Sequence, residues 1–97
     1  MSRINLGRAL HGLGACEFEL SNMTQAISLN QSACDLYRDE APELFHLALQ
    51  NIGMAHLANN EYEKTLQSLE KCARFWTDQG NASRVHEIET LLAASRG

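Results

Sequence analysis

The feature that most constrains the fold of this chain is an internal repeat. When the first half is moved along the sequence by 39 residues, the distance from Gly14 to Gly53, apolar, small and turn positions coincide. Matching pairs include Ala9-Leu10 with Ala48-Leu49, Leu13-Gly14 with Ile52-Gly53, Leu36-Tyr37 with Phe75-Trp76, and the turn Ser21-Asn22 with Asn60-Glu61. A period of about 40 residues that contains two helices is typical of an α-solenoid.

Apolar residues at helical spacing predict five helices, over residues 4–20, 23–38, 42–58, 61–79 and 82–95. Pro42 suits a first helical position, Asn60 with Glu63 resembles a capping box, and Gly80 suits a left-handed helix end. The expected fold is therefore all-α. It has two antiparallel helix-turn-helix repeats, at about 3–39 and 42–79, and a C-terminal helix at about 81–95, in a single domain over residues 1–97.

The same periodicity predicts which side chains are buried. Leu10, Leu13 and Gly14 are expected in the core of the first helix, and all three cysteines are expected to be buried among apolar neighbours. The fourth helix is expected to bury one stripe, formed by Tyr62, Leu66, Leu69, Ala73 and Trp76. Tyr37 and Trp76 occupy equivalent positions in the two repeats. This equivalence favours a core role for both over an aromatic ligand anchor.

Composition excludes several classes of protein. The formal net charge is −4 and no run of Lys or Arg occurs, so binding to nucleic-acid phosphates is not expected. No apolar run approaches the roughly 18 residues that a membrane span needs, and no signal peptide is recognisable at the start. Three widely spaced cysteines are a poor disulfide framework and favour a reducing, cytoplasmic location.

No complete set of catalytic or metal-binding residues is recognisable. Glu43 and His46 have the Glu-x-x-His spacing of di-metal helical bundles, but those need a second copy, and the repeat places Gly7 at the position equivalent to His46. No two histidines are three or four residues apart and no Cys-x-x-Cys occurs, which argues against zinc. The sequence therefore predicts no metal, no cofactor and no catalytic residues.

The paired small residues resemble the tetratricopeptide repeat family, in its longer form of about 40 residues. Leu13-Gly14 with Ala26 and Ala33, and Ile52-Gly53 with Thr65 and Cys72, match that family's pattern of a large and a small residue in the first helix and two small residues in the second. The chain departs from the pattern in several places. Glu17 and His56 stand at first-helix aromatic positions, Thr65 replaces an alanine, and Arg38 or Thr77 stands where a proline often ends the repeat.

The resemblance implies a protein-binding module whose first helices line a concave groove. It places the ligand-contacting positions at Arg8, His11, Gly12, Ala15, Phe18, Leu47, Gln50, Asn51, Met54 and Leu57. We expect a helix or extended peptide of a partner protein to bind there, with Phe18, Met54 and Leu57 as apolar anchors and His11, Gln50 and Asn51 as polar guides. The alternatives are a structural repeat that self-associates through its terminal helices, in which Val85, Ile88, Leu91 and Leu92 supply the apolar surface of the last helix, and an enzyme.

Overall fold

The computed structural model describes residues 2–96 and contains five α-helices and no strand within that range. The helices are α1 (Arg3–Glu19), α2 (Met23–Tyr37), α3 (Pro42–Ala58), α4 (Tyr62–Asp78) and α5 (Ala82–Arg96). Each predicted boundary lies within one residue of the observed one. The all-α, helical-repeat architecture expected from the sequence is thus confirmed.

The helix ends show where local sequence signals hold and where they fail. Ser2 caps α1 by accepting a hydrogen bond from the backbone N–H of Asn5 at 3.1 Å, and Gly80 follows α4 with the expected positive φ of 70°. The capping role predicted for Asn60 is wrong. Asn60 adopts a left-handed φ of 60°, its Oδ1 accepts a hydrogen bond from the hydroxyl of Tyr62, and Glu61 occupies the N-cap without a side-chain cap bond.

Consecutive helices pack against each other along the whole series. In addition, α1 contacts α3, and α3 contacts α5. Within residues 2–96, α2 and α4 do not contact each other. The odd-numbered helices therefore lie closer together and form the concave face, while α2 and α4 form the convex face. This curvature matters because it brings side chains of α1 and α3 together on one surface.

The core consists of two clusters separated along the stack. One is centred between α2 and α3 and the other between α4 and α5. Tyr37 is fully buried in the first and Trp76 is 4 % exposed in the second, which confirms the core role predicted from their equivalence. The buried members are Ala33, Cys34, Tyr37, Ala48 and Ile52 in the first cluster, and Leu69, Cys72, Trp76, Ile88 and Leu92 in the second.

Three residues expected in the core are exposed instead. Leu13 is 54 % exposed and Tyr62 is 47 % exposed, and the thiol-bearing Cys16 also lies on the surface. Leu13 is equivalent in the repeat to Ile52, which is buried because α2 covers that side of α3. No helix within residues 2–96 covers the corresponding side of α1. Helical periodicity identified Leu13 as an apolar position, but it could not show whether a neighbouring helix covers that position.

The last helix uses its apolar stripe internally. Ile88 and Leu92 are buried against α4, and Val85 and Leu91 are half-buried beside them. The residues that α5 leaves exposed are mainly polar or small, among them His86, Glu87, Glu89, Thr90 and Arg96. Among the described residues, the large exposed apolar side chains lie on α1 and at its C-terminal end (Leu6, Leu13 and Leu20) and at the start of α4 (Tyr62), and none lies on α5. Within residues 2–96, no helix has the length and apolar character needed to cross a membrane.

Candidate binding groove

A small cleft lies on the concave side where α1, α2 and α3 meet. Its volume is about 110 Å³, somewhat below the roughly 150 Å³ of an apolar cavity that holds benzene. Four of the groove residues expected from the sequence contribute to its wall: Ala15, Phe18, Asn51 and Met54. The other lining residues are Gly14, Glu19 and Asn30. The cleft has the size of one aliphatic side chain.

The side chain of Asn30 forms part of the cleft wall although it belongs to α2. Asn30 is 1 % exposed, and its Nδ2 donates a hydrogen bond to the carbonyl oxygen of Ala26 at 2.9 Å. Its Oδ1 is shielded from water and accepts no hydrogen bond from residues 2–96. The amide fits there because Gly14 faces it, and a Cβ at position 14 would collide with Nδ2. A shielded acceptor without a donor is costly and uncommon in folded proteins.

Beside the cleft, His11 joins three helices through its imidazole ring. Asn51 Nδ2 donates to His11 Nε2 at 2.9 Å, and the hydroxyl of Tyr37 lies 3.4 Å from Nδ1. Because Nε2 supplies a lone pair, the neutral ring carries its proton on Nδ1 and donates it to the Tyr37 oxygen. Burial lowers the pKa of His11 below its usual value, because desolvation disfavours the imidazolium. His11 thus fixes the orientation of Asn51 at the cleft.

The cleft mouth is acidic. Glu19 belongs to its wall and is exposed. Glu17, two residues earlier, does not line the cleft and projects from another side of α1, where its carboxylate accepts a hydrogen bond from Asn22 Nδ2 at 2.7 Å. None of the residues that line the cleft is basic. A ligand that reaches this cleft therefore meets negative charge next to an apolar surface of Phe18 and Met54.

The remaining groove positions from the sequence lie elsewhere. Gln50 is 4 % exposed and its Nε2 donates to Glu87 of α5 at 3.3 Å, so it joins α3 to α5 and is not an exposed polar guide. Leu47 packs against the core cluster between α4 and α5. Arg8 is exposed and Leu57 is half-buried, and neither lines the cleft. Gly12 is exposed, with open space where a Cβ would project.

Glu19 and Asn30 were not identified as groove residues from the sequence. The tetratricopeptide pattern places ligand contacts only on the first helix of each repeat, and Asn30 lies on a second helix. A signal for it existed in the internal repeat. Moving the sequence by 39 residues places Asn30 on Leu69, a fully buried core residue. A polar residue at a position that is apolar in the other repeat indicates a function or a compensating partner.

A larger depression lies on the convex side between α2 and α4. It measures about 620 Å³ and is shallow, with Phe45, Leu49 and Ile52 at its floor. Its charged rim residues already have partners: Arg38 lies 2.9 Å from Asp35, and Lys64 lies 3.2 Å from Glu61. The depression is large because α2 and α4 do not contact each other on the convex side. We therefore favour the smaller concave cleft as the binding site.

Two of the thiols are buried, and the described part of the chain contains no cluster of metal-binding side chains. Burial raises the pKa of the thiols of Cys34 and Cys72 to about 12, so both remain protonated and poorly nucleophilic. Within residues 2–96 no three His, Cys, Asp or Glu side chains are arranged to hold a metal ion. His46 stacks on Phe75 with ring centroids 3.9 Å apart, and its Nδ1 lies 2.7 Å from the carbonyl oxygen of Pro42.

Comparisons of this chain with protein-family profiles, with curated proteins and with solved structures found no match.

Proposed function

We propose that this chain is a protein-interaction module, an adaptor or regulatory domain of the tetratricopeptide type, which binds a peptide segment of a partner protein on its concave face. The observation that carries the proposal is the concave cleft between α1, α2 and α3, in which Phe18 and Met54 flank a space of about 110 Å³. Both side chains are only half-buried, so their apolar surface is available to a partner.

Peptide recognition by helical repeats suits this geometry. A groove between rigid helices can take one anchoring side chain of a partner while polar groups at its edge orient the partner's backbone. Asn51 is held in place by His11, so little conformational entropy is lost when it binds. Met54 has a flexible, polarisable side chain that adapts to different aliphatic anchors. The buried thiols of Cys34 and Cys72 support a reducing, cytoplasmic setting.

Selection from a phage-displayed library of random peptides tests this proposal. Wild-type protein should enrich peptides that compete with one another, and Met54→Glu should weaken them at least tenfold, because it places a charge in the cleft. Gln67→Glu is the matched control, since it adds the same charge on the exposed side of α4. Equal binding to wild type and Met54→Glu would contradict a role for the concave cleft.

Methyl spectra give a second, direct measurement. With 13C-methyl-labelled methionine, a selected peptide should shift the signal of Met54 and leave that of Met23, which lies at the start of α2 outside the cleft. A shift of the Met23 signal alone would place the peptide at the α1–α2 turn. That result would argue against the concave site.

A second candidate function is self-association, which a stripe on α1 favours. Leu6 and Leu13 of α1 and Leu20 at its C-cap are 42 %, 54 % and 68 % exposed. They recur every seven residues, so Leu6 and Leu13 lie along one side of the helix and Leu20 continues that side at its end. Leu6 and Leu13 are equivalent to Phe45 and Ile52, which pack against α2. Apolar stripes of this kind serve as contacts between copies of a chain.

Light scattering under reducing conditions, over a hundredfold range of concentration, tests this candidate. A dimer should form at micromolar concentration, and Leu13→Lys should dissociate it without unfolding the protein, because Leu13 makes little core contact. Ser83→Lys on the exposed side of α5 is the control. A wild-type protein that stays monomeric throughout would refute self-association.

A further inference from the structure

The exposed side of α1 carries the pattern of a helix-pairing seam. Five exposed residues follow one another at alternating steps of three and four along α1 and its C-cap: Leu6, Ala9, Leu13, Cys16 and Leu20. Side chains at this spacing share one side of a helix. Apolar residues at such steps form the contact line between two helices that pack side by side. We call these five residues the α1 seam, and its natural partner is another helix.

A second copy of the α1 seam is the matching surface that this chain offers. The side that α5 leaves exposed is mainly polar or small, so a head-to-tail contact between copies would place leucines against polar residues. Outside α1 and its C-cap, Tyr62 is the one large apolar side chain that residues 2–96 expose. A seam paired with its own copy has equal length and equal apolar character on both sides, as an isologous contact requires.

Two charges along one edge of the α1 seam select the direction of the second helix. Arg8 and Glu19 are exposed and form no ion pair within residues 2–96. They are eleven residues apart, which is about three helical turns, so they lie along the same edge. Their midpoint falls between residues 13 and 14, next to Leu13 at the centre of the seam. An antiparallel pair centred there brings opposite charges together, whereas a parallel pair brings like charges together.

We propose that two copies of this chain pair through antiparallel α1 helices, related by a two-fold axis near Leu13. Leu6 then faces the partner's Leu20, and Arg8 forms an ion pair with the partner's Glu19. By symmetry each contact occurs twice, and the interface closes at the dimer. The inference rests on self-association as the second candidate function and specifies its geometry.

Charge reversal, with dimer dissociation constants from analytical ultracentrifugation, tests the direction of the pair. Glu19→Arg should weaken the dimer about tenfold, because both ion pairs become contacts between like charges. The double variant Arg8→Glu/Glu19→Arg should dimerise as wild type does, because it only exchanges the two charges. Glu70→Arg makes the same charge change on the exposed side of α4 and is the control. A Glu19→Arg dimer as tight as wild type, or a double variant no tighter than Glu19→Arg, would overturn the antiparallel pairing.

Cross-linking measures the direction independently. Leu6→Cys and Leu20→Cys are made with different affinity tags in a Cys16→Ser background, mixed, and treated with a short bis-maleimide. An antiparallel pair should give the mixed product, because two copies of the same introduced thiol lie about 21 Å apart along the helix axis. Products of each variant with itself, without the mixed product, would overturn this inference but leave self-association standing. Wild-type protein that stays monomeric throughout would refute both.

The wild-type chain supplies a readout that needs no variant. Cys16 lies in the α1 seam and is exposed in the single chain, so pairing should cover its thiol. In dilute, monomeric protein a thiol reagent should modify Cys16 rapidly, and the rate should fall several-fold as the protein concentration rises and the dimer forms. A rate that stays constant in protein that light scattering shows to be dimeric would place the contact elsewhere and overturn the inference.

Discussion

Replacing Gly53 tests the helix contact on which the repeat is built. A Cβ at this position would lie 2.9 Å from Cδ2 and 3.0 Å from Cγ of Leu69, and 3.3 Å from Cβ of Ser68. Carbon atoms in good contact are about 3.5–4.0 Å apart. Leu69 is fully buried, so it cannot move aside without disturbing the cluster between α4 and α5. A side chain at position 53 must therefore push α3 and α4 apart.

Gly12 provides a matched control in another helix interior. Nothing lies within 4 Å of a Cβ built at Gly12, so Gly12→Ala should gain the helix propensity that glycine lacks, about 0.5–1 kcal/mol. Gly53→Ala receives the same gain but loses it to the contact with Leu69, and should be no more stable than wild type. The difference between the two alanine variants isolates the contact, because propensity contributes equally to both.

Leucine should enlarge the difference. Gly53→Leu overpacks the α3–α4 contact and should lower the free energy of unfolding by about 1–3 kcal/mol, whereas Gly12→Leu should be tolerated. For a domain of this size, each kcal/mol corresponds to roughly 4–8 °C in Tm. Urea titration followed by circular dichroism, with thermal melts alongside, measures all four variants. If Gly53→Leu proves as stable as Gly12→Leu, then the helices do not meet at Gly53 and the repeat register is wrong.

Two further predictions follow from burial. In the native protein a thiol reagent should modify Cys16 rapidly, and it should modify Cys34 and Cys72 only after unfolding. Burial shields these two thiols and raises the pKa of each to about 12. Three thiols that react equally fast would contradict the buried positions of Cys34 and Cys72. Because the pKa of His11 is lower in the folded than in the unfolded chain, the unfolded state binds more protons, and stability should fall as the pH drops below about 6.5. His11→Gln should flatten that part of the urea midpoint–pH profile, whereas the exposed His86→Gln should not.

The sequence by itself determined the secondary structure and the order of the helices. Helical periodicity and the 39-residue repeat are local or near-local signals, and backbone hydrogen bonding makes each helix follow from its own residues. Pro42 and Gly80 marked helix ends because their allowed backbone angles are intrinsic to them. Gly14 and Gly53 indicated where paired helices meet. The equivalence of Tyr37 and Trp76 identified them as core.

The candidate site depended on the tertiary structure. Periodicity predicts which side of a helix is apolar but not which neighbour covers it, so Leu13 was expected in the core and is exposed, and Gln50 was expected in the groove and is buried against α5. The cleft joins residues of three helices, and the unpaired oxygen of Asn30 exists only because the packing of α1 on α2 shields it while supplying no donor. Solvent exclusion and hydrogen-bond satisfaction are properties of the assembled helices, and the curvature that brings α1 next to α3 arises from packing along the whole stack.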